Sequence, residues 1–453
     1  MNYHSLKNPE LKASFSEALL SSLAPDGGLY MPDSLPRFGD NELARLGAMS
    51  FWACAAHLSR FFVDDKFSDE DLQGLCADAY DFPLPLTTMG GELLDAATPE
   101  PADAYILELF HGSTLAFKDF AARFMGRTVS HLLSRSGDSR TILVATSGDT
   151  GGAIGHAFLN LPSVRVFILY PNGGVSSVQE HQLTSFGEIG GNKSNVKAIA
   201  VDGTFDDCQA LVKQAFADSK MSAEHNLMSA NSINVGRVIP QSFYYFWTSL
   251  QIKAAFPNRP IVYSIPSGNL GNLTGGLIAR KMGAPIDKFV VGNNVNDPFV
   301  DYLNTGEYTP RSSVPTLSNA MDIGRPNNFP RILSLFDGDY ERITQVCSGY
   351  SYSDAQTERH LRRTYAHEKY LMCPHTAVGH MAMQDFAAKT DKAYTKITVS
   401  TAHPAKFKDE VEQIIREDIP LPRSLQDCID APSHKHVMEP SLSDLDDYIR
   451  KNT

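Results

Sequence analysis

Short runs of branched apolar residues alternate along the chain with longer stretches whose apolar positions recur every three or four residues. The runs are TILVAT (141–146), VRVFILYP (164–171), VKAIAVDG (196–203), PIVYSIP (260–266), KFVVGNN (288–294) and KITVST (396–401). Each is short and rich in Val and Ile, so each is predicted as a buried strand. The stretches AIGHAFLNL, FDDCQALVKQAFADS, LTGGLIARKMG and AHPAKFKDEVEQII that follow such runs read as helices. Strands alternating with helices predict βαβ units and mainly parallel sheets. Before residue 95 the pattern changes. LKASFSEALLSSL (11–23) is amphipathic, turn residues in APDGGLYMP (24–32) break it, and FWACAAHLSRFF (51–62) reads as a buried helix. The expected architecture is α/β: parallel-rich twisted sheets flanked by helices, after a mainly helical N-terminal region. MGGELLDAATPEPAD (89–103) reads as the boundary between them.

Composition narrows the function classes. The chain has 453 residues, 42% of them hydrophobic, which is enough for more than one domain. Its formal net charge is −12 and no basic run stands out, so no nucleic-acid partner is expected. Six cysteines lie scattered without a CxxC pair, which suggests free thiols in a reducing compartment. The opening MNYHSLKNPELKASF is no signal peptide, and no apolar run has membrane-spanning length. A soluble, cytoplasmic protein without a membrane partner is expected.

Five polar stretches carry candidate chemistry. A lysine, Lys118, stands among Leu115, Phe117 and Phe120, just before a helix marked by Phe120, Phe124 and Val129. An apolar pocket lowers an amine's pKa and exposes its lone pair, which suits a Schiff-base lysine; an exposed lysine at a helix start is the plain alternative. SGNLGN (267–272) joins a strand to a helix, so its N–H groups and the helix N-terminus suit a phosphate, or merely make a tight turn. It has neither the Walker lysine nor a strong dinucleotide fingerprint. ATSGDTGGA (145–153) has the same setting and offers the hydroxyls of Thr146, Ser147 and Thr150 to a carboxylate or phosphate, with helix capping by Ser147 or Asp149 as the alternative. NSINVGR (231–237) sets an amide, a hydroxyl and Arg237 at a strand end, a set that suits a second anion; alone, Arg237 would also suit a surface ion pair. In STAHPAKF (400–407), Thr401 can hydrogen-bond a heteroaromatic nitrogen or cap the turn at Pro404. A lysine, two anion sites and a hydroxyl, all at strand ends, suit an enzyme holding a phosphorylated cofactor and an anionic substrate.

The motif series HGSTLAFKDFA, ATSGDTG, NSINVGR, SGNLGN, CPHTAVG (373–379) and STAHPAKF resembles that of the threonine synthase family, in order and in spacing. DGGLYMP (26–32) and MDIGRPNNFPR (321–331) extend the resemblance over nearly the whole chain. It implies a fold type II, tryptophan synthase β-like enzyme with pyridoxal 5′-phosphate bound to Lys118 as a Schiff base. Gly268, Asn269, Leu270, Gly271 and Asn272 would cradle the cofactor phosphate, Thr401 would face the pyridine nitrogen, and Asp149 would stand near the 3′-oxygen. Thr146, Ser147, Thr150, Asn231, Ser232 and Arg237 match positions that contact the substrate's carboxylate or phosphate. No metal is implied. The implied reaction turns O-phospho-L-homoserine and water into L-threonine and phosphate, by γ-elimination and β-addition of water, in a monomer or homodimer. The implied division is an N-terminal domain (1–95), a large cofactor domain in two parts (96–140 and 241–453, the latter with the C-terminal region) and a smaller α/β domain (141–240). Two positions depart from the family pattern: Ser113 stands where proline is usual, and Cys373 where aspartate is usual. The rival readings are a related pyridoxal-phosphate lyase or dehydratase, a non-catalytic relative, and a nucleotide-binding protein.

Overall fold

The six apolar runs all form strands, Arg140–Ala145, Val164–Pro171, Val196–Val201, Ile261–Pro266, Lys288–Asn293 and Thr395–Ser400, and they divide between two sheets. The computed structural model describes residues 1–94, 104–189 and 192–452. Among the described residues, one sheet has five strands in the order Leu227–Ser229, Arg140–Ala145, Val164–Pro171, Val196–Val201, Lys435–Met438, all parallel. The other has six among the described residues, in the order Cys347–Ser351, Lys288–Asn293, Ile261–Pro266, Thr395–Ser400, Ala104–Glu108, Leu86–Thr87; of these the last pair is antiparallel and the rest are parallel. Central strands such as Ile261–Pro266 are buried at every position, because helices cover both faces. That is why their sequences are continuous apolar runs.

The strands that the pattern does not announce are short or peripheral, except Ala104–Glu108, which lies inside its sheet between Thr395–Ser400 and Leu86–Thr87. Cys347–Ser351 (CSGYS) and Lys435–Met438 (KHVM) are sheet edges with half-exposed polar positions. An edge strand needs polar residues to discourage further pairing, so its apolar signal is weak. The N-terminal region is built mainly from the helices Phe15–Ser21, Asp40–Gly47, Phe51–Ser59 and Asp69–Ala79. A small antiparallel sheet, Lys12–Ser14, Asn2–Ser5, Tyr30–Pro32, accompanies them. The first part of the expected helix 11–23 is therefore a strand, and Ser14 starts the helix with a capping box to Glu17. The expected boundary at 95–96 lies outside the described residues.

Parallel strands direct their carboxyl ends the same way, and the loops that leave those ends meet. Ala145 and Ser229 end strands of one sheet; Pro266 and Ser400 end strands of the other. The polar motifs begin at these four points and face a common cleft.

Candidate active site

Lys118 is the first residue of the helix Lys118–Ser136, so that helix starts two residues earlier than the spacing of Phe120, Phe124 and Val129 predicts. Buried Asp119 draws the start forward. Its carboxylate accepts the Thr114 N–H at 2.9 Å and the Thr114 hydroxyl at 2.7 Å. The preceding loop turns through Leu115, whose φ of +57° is unfavourable for a branched side chain. Main-chain bonds then tie this loop to the one after Thr395–Ser400: the Phe117 N–H donates to Thr401 O at 2.8 Å, and the His403 N–H to Leu115 O at 3.0 Å. Lys118 and Thr401, distant in sequence, are thereby fixed side by side. The Lys118 amine lies 4.4 Å from the centroid of the Phe117 ring. Burial, helped by the positive charge of Arg237 and opposed by Asp149, lowers its pKa to about 8.

SGNLGN closes the cleft from the second sheet. The helix Gly271–Lys281 starts at Leu270, which has φ +60° and supplies no side-chain cap. The first-turn N–H groups of a helix have no intrahelical acceptor, and here no cap replaces one, so they and the helix dipole face the cleft. Asn272 is buried, and its Oδ1 accepts the hydroxyls of Tyr244 at 2.5 Å and Tyr245 at 2.8 Å. That fixes the amide so that Nδ2 turns away from the tyrosines. Among the described residues Nδ2 has no partner.

Facing it, Thr146 caps the helix Asp149–Phe158, the task expected of Ser147 or Asp149. Its Oγ1 accepts the N–H groups of Gly148 at 3.0 Å and Gly151 at 2.9 Å. Gly148 has φ +122°, open only to glycine. Ser147 and Thr150 remain half-buried on the cleft wall. Asp149 is held by Gln179 Nε2 at 3.0 Å and by the ammonium of fully buried Lys406 at 3.2 Å. Burial works to raise its pKa, but Lys406, His375, Gln179 and Lys118 together outweigh it, and Asp149 titrates below the usual carboxylate range. Asn231 grips the backbone of Ala145 with both ends of its amide, accepting the N–H at 3.2 Å and donating to the carbonyl at 2.7 Å. Arg237 is buried in the short helix Val235–Val238 and donates one N–H to Ala230 O, while its Nε has no partner among the described residues. Burial lowers its pKa to about 10, against a raising effect of Asp119, so it stays a cation at neutral pH.

Every candidate site residue of the sequence, from Lys118 to Thr401, lines this one cleft of about 890 Å³, measured with its open mouth. Two residues of evident importance are not among those candidates. His375 also lines the cleft, 4% exposed, and its Nε2 accepts the Ala320 N–H at 3.1 Å. Burial holds its pKa near 4, so the ring is neutral and carries its hydrogen on Nδ1, which has no partner among the described residues. Lys406 lies under Asp149 and also donates to Thr114 O at 2.7 Å and to Gln182 Oε1. Both belong to motifs of the series, CPHTAVG and STAHPAKF. A lysine between Ala405 and Phe407 sends the same signal as Lys118 between Phe117 and Asp119.

Known proteins share this arrangement along the whole chain. A family model described as "Pyridoxal-phosphate dependent enzyme" matches residues 95–401. Models of the threonine synthase N terminus and of the threonine synthase C-terminal region match residues 2–80 and 376–449. The threonine synthase of Escherichia coli is 38% identical over 446 residues, 98% of each chain. This chain belongs to the threonine synthase family. The Haemophilus influenzae threonine synthase is 38% identical over 454 residues, 100% of each chain. The crystal structure of the Escherichia coli threonine synthase superimposes with a TM-score of 0.89 at 36% identity, covering 100% of both chains. A pyridoxal-phosphate-bound threonine synthase from Brucella melitensis gives 0.89 at 32% identity, covering 100% of this chain and 99% of that one. As a threonine synthase family member the chain is a fold type II pyridoxal-phosphate enzyme, and its cleft fits that cofactor. A phosphate matches the uncapped helix at Leu270 and the orphaned Asn272 Nδ2; an aldehyde matches an amine whose pKa is lowered to about 8. Among the described residues no cluster of three or more His, Cys, Asp or Glu could hold a metal ion, and no helix is long and apolar enough to cross a membrane.

Proposed function

We propose that the chain converts O-phospho-L-homoserine and water into L-threonine and phosphate. The observation that carries this reading is the pairing, in one cleft, of a phosphate-cradling helix start at Leu270 and a second anion site at Arg237, with Lys118 on the same wall. One phosphate belongs to the cofactor and the other to the substrate.

When bound, pyridoxal phosphate supplies an aldehyde that condenses with amines and a ring that takes up negative charge from Cα. The residues from Gly268 to Asn272 would hold its phosphate. The Thr401 hydroxyl, which lines the cleft, would meet the ring nitrogen without keeping it protonated, and so would moderate the ring's pull and limit side reactions. Asp149, kept anionic by Lys406, would stand by the 3′-oxygen. Lys118, neutral for part of the time at its lowered pKa, takes a proton from Cα, gives it up, and is then free to take one from Cβ. Arg237 and the neighbouring hydroxyls of Ser147, Thr150 and Ser232 steady the γ-phosphate as its bond to Cγ breaks. Thr146 and Asn231 shape that pocket from behind, through the bonds that hold the loop 145–151. Cγ gains the proton taken from Cβ and becomes the methyl group, a water hydroxyl adds at Cβ while the water's other hydrogen goes to the released phosphate, and Cα regains a proton. The six cysteines are all free and buried, which supports a cytoplasmic setting. The working unit is read as a monomer or homodimer.

The test is to supply the holoenzyme with O-phospho-L-homoserine and quantify threonine and phosphate together. Equal release of both is expected. Phosphate with 2-oxobutyrate in place of threonine would mean a lyase of the same fold. Neither product would mean a different substrate.

A further inference from the structure

The segment MDIGRPNNFPR has no place in the chemistry above, yet Asn328 and Arg331 tie together three separate loops. Asn328 Nδ2 donates to Asn269 O at 2.9 Å, in the phosphate cradle, and to Ser232 Oγ at 3.1 Å, in the turn that leads to Arg237. The Asn328 N–H reaches the same Asn269 carbonyl at 3.3 Å, and the Asn327 N–H donates to Asn269 Oδ1 at 3.2 Å. Asn328 Oδ1 accepts from Arg331 Nη1 at 2.5 Å. Arg331 then holds the turn directly: Nη1 donates to Ser232 O at 2.7 Å, Nη2 to Ile233 O at 2.7 Å, and Nε to Tyr30 O at 3.3 Å, in the N-terminal sheet.

Arg331 is fully buried, and among the described residues no carboxylate pairs with it. It bonds to backbone carbonyls and to the Asn328 amide, and burial alone lowers its pKa to about 9. It is still a cation at neutral pH. A buried guanidinium without a counter-ion is expensive, and a neutral side chain would fill the space at less cost. Its rigid fork does what a neutral side chain cannot, bonding two successive carbonyls of one turn while gripping Asn328. Neither Asn328 nor Arg331 lines the cleft, so both act through Asn269 and Ser232.

We propose that Asn328 and Arg331 are positioning residues that couple the two anion sites, so that ordering the phosphate cradle also sets the Ser232–Ile233 turn. The proposal rests on the reading of that turn as part of the substrate-phosphate site. In binding terms each anion tightens the other, because the link is reciprocal.

The test uses Asn328→Ala and, to keep the buried charge, Arg331→Lys, in the full chain. Pyridoxal phosphate is titrated into the cofactor-stripped protein, and KM and kcat for O-phospho-L-homoserine are measured on the reloaded enzyme. Both variants are expected to raise the cofactor Kd and the KM about tenfold each, with kcat changed about threefold or less. A lowered melting temperature with unchanged Kd and KM would mean a purely structural brace and would overturn the proposal. A shift in only one of the two constants would overturn the coupling. Arg237→Ala is run beside them: an unchanged KM there, with the cofactor Kd of Asn328→Ala still raised, would locate the failure in the substrate-phosphate reading itself.

Discussion

Lys118 is an ammonium in the unfolded chain and, in its proposed role, must be an amine to react. Burial and Arg237 move it towards the amine and Asp149 moves it back, leaving a pKa of about 8. Below that value the ammonium has no lone pair, and as pH rises through it the nucleophile appears. The rate at which the cofactor-stripped protein takes up pyridoxal phosphate into its visible-absorbing form is therefore expected to climb about tenfold per pH unit below 8 and level off above it. A flat rate between pH 6 and 9 would refute this account. The Asp149–Lys406 pair acts beside it. Lys406→Met would leave a buried carboxylate unpaired and is expected to cost about 3–5 kcal/mol in urea unfolding, with much of the loss recovered by adding Asp149→Asn. Asp149 titrates below its ordinary 3.8, so its contribution is present above that pH and disappears only as pH falls through the lower folded value. Lys118 and Asp149 were legible because their motifs are local. Lys406 carries the same apolar flanks as Lys118, but its place under Asp149, like the bond from Ala320 to His375, shows only in what it touches.

At the scale of elements, the proposed phosphate cradle is only as good as the packing of two helices. Pro240–Ala255 carries Tyr244 and Tyr245, whose hydroxyls orient Asn272 on Gly271–Lys281. The two helices approach at Gly275, where a Cβ would lie 2.8 Å from the carbonyl carbon of Gln241 and 2.9 Å from its oxygen. Backbone cannot swing aside as a side chain can. Gly275→Ala is expected to destabilise the fold by about 1–3 kcal/mol and to weaken cofactor binding as the tyrosines withdraw. Gly152 is the control: a Cβ there would meet only Gln182 Cβ at 3.8 Å, so Gly152→Ala in the helix Asp149–Phe158 is expected to be stabilising by about 0.5–1 kcal/mol. Urea midpoints of the two variants moving in the same direction would contradict this reading. LTGGLIARKMG announced a helix, but nothing in it told which glycine makes the contact.

At the scale of the molecule, the last residues return to the middle of the chain. Lys435–Met438 lies parallel to Val196–Val201, and Leu445 and Ile449 of the helix Leu442–Lys451 join the cluster containing Ile199, Val201 and Leu211. Truncation before Ser433 would expose that cluster and make Val196–Val201 a bare edge. Losing the two buried aliphatic side chains alone is expected to cost roughly 3–6 kcal/mol, seen as a lower urea midpoint and as aggregation through the new edge. An unchanged midpoint and solubility would mean that the C-terminal strand is dispensable.

The central strands, the helices after them and the loops at their carboxyl ends were fixed by local pattern, because a strand buried on both faces has to be a continuous apolar run and an anion-binding loop has to be short, polar and glycine-rich. The order of the motifs along the chain is enough by itself to point to the family. Tertiary structure alone decided which loop meets which. The edge strands Cys347–Ser351 and Lys435–Met438, the bonds joining Phe117 to Thr401, and the grip of Arg331 on Ser232 and Ile233 all link residues far apart in sequence. No periodicity encodes such links; they exist only once the two sheets have brought their strand ends to a single cleft.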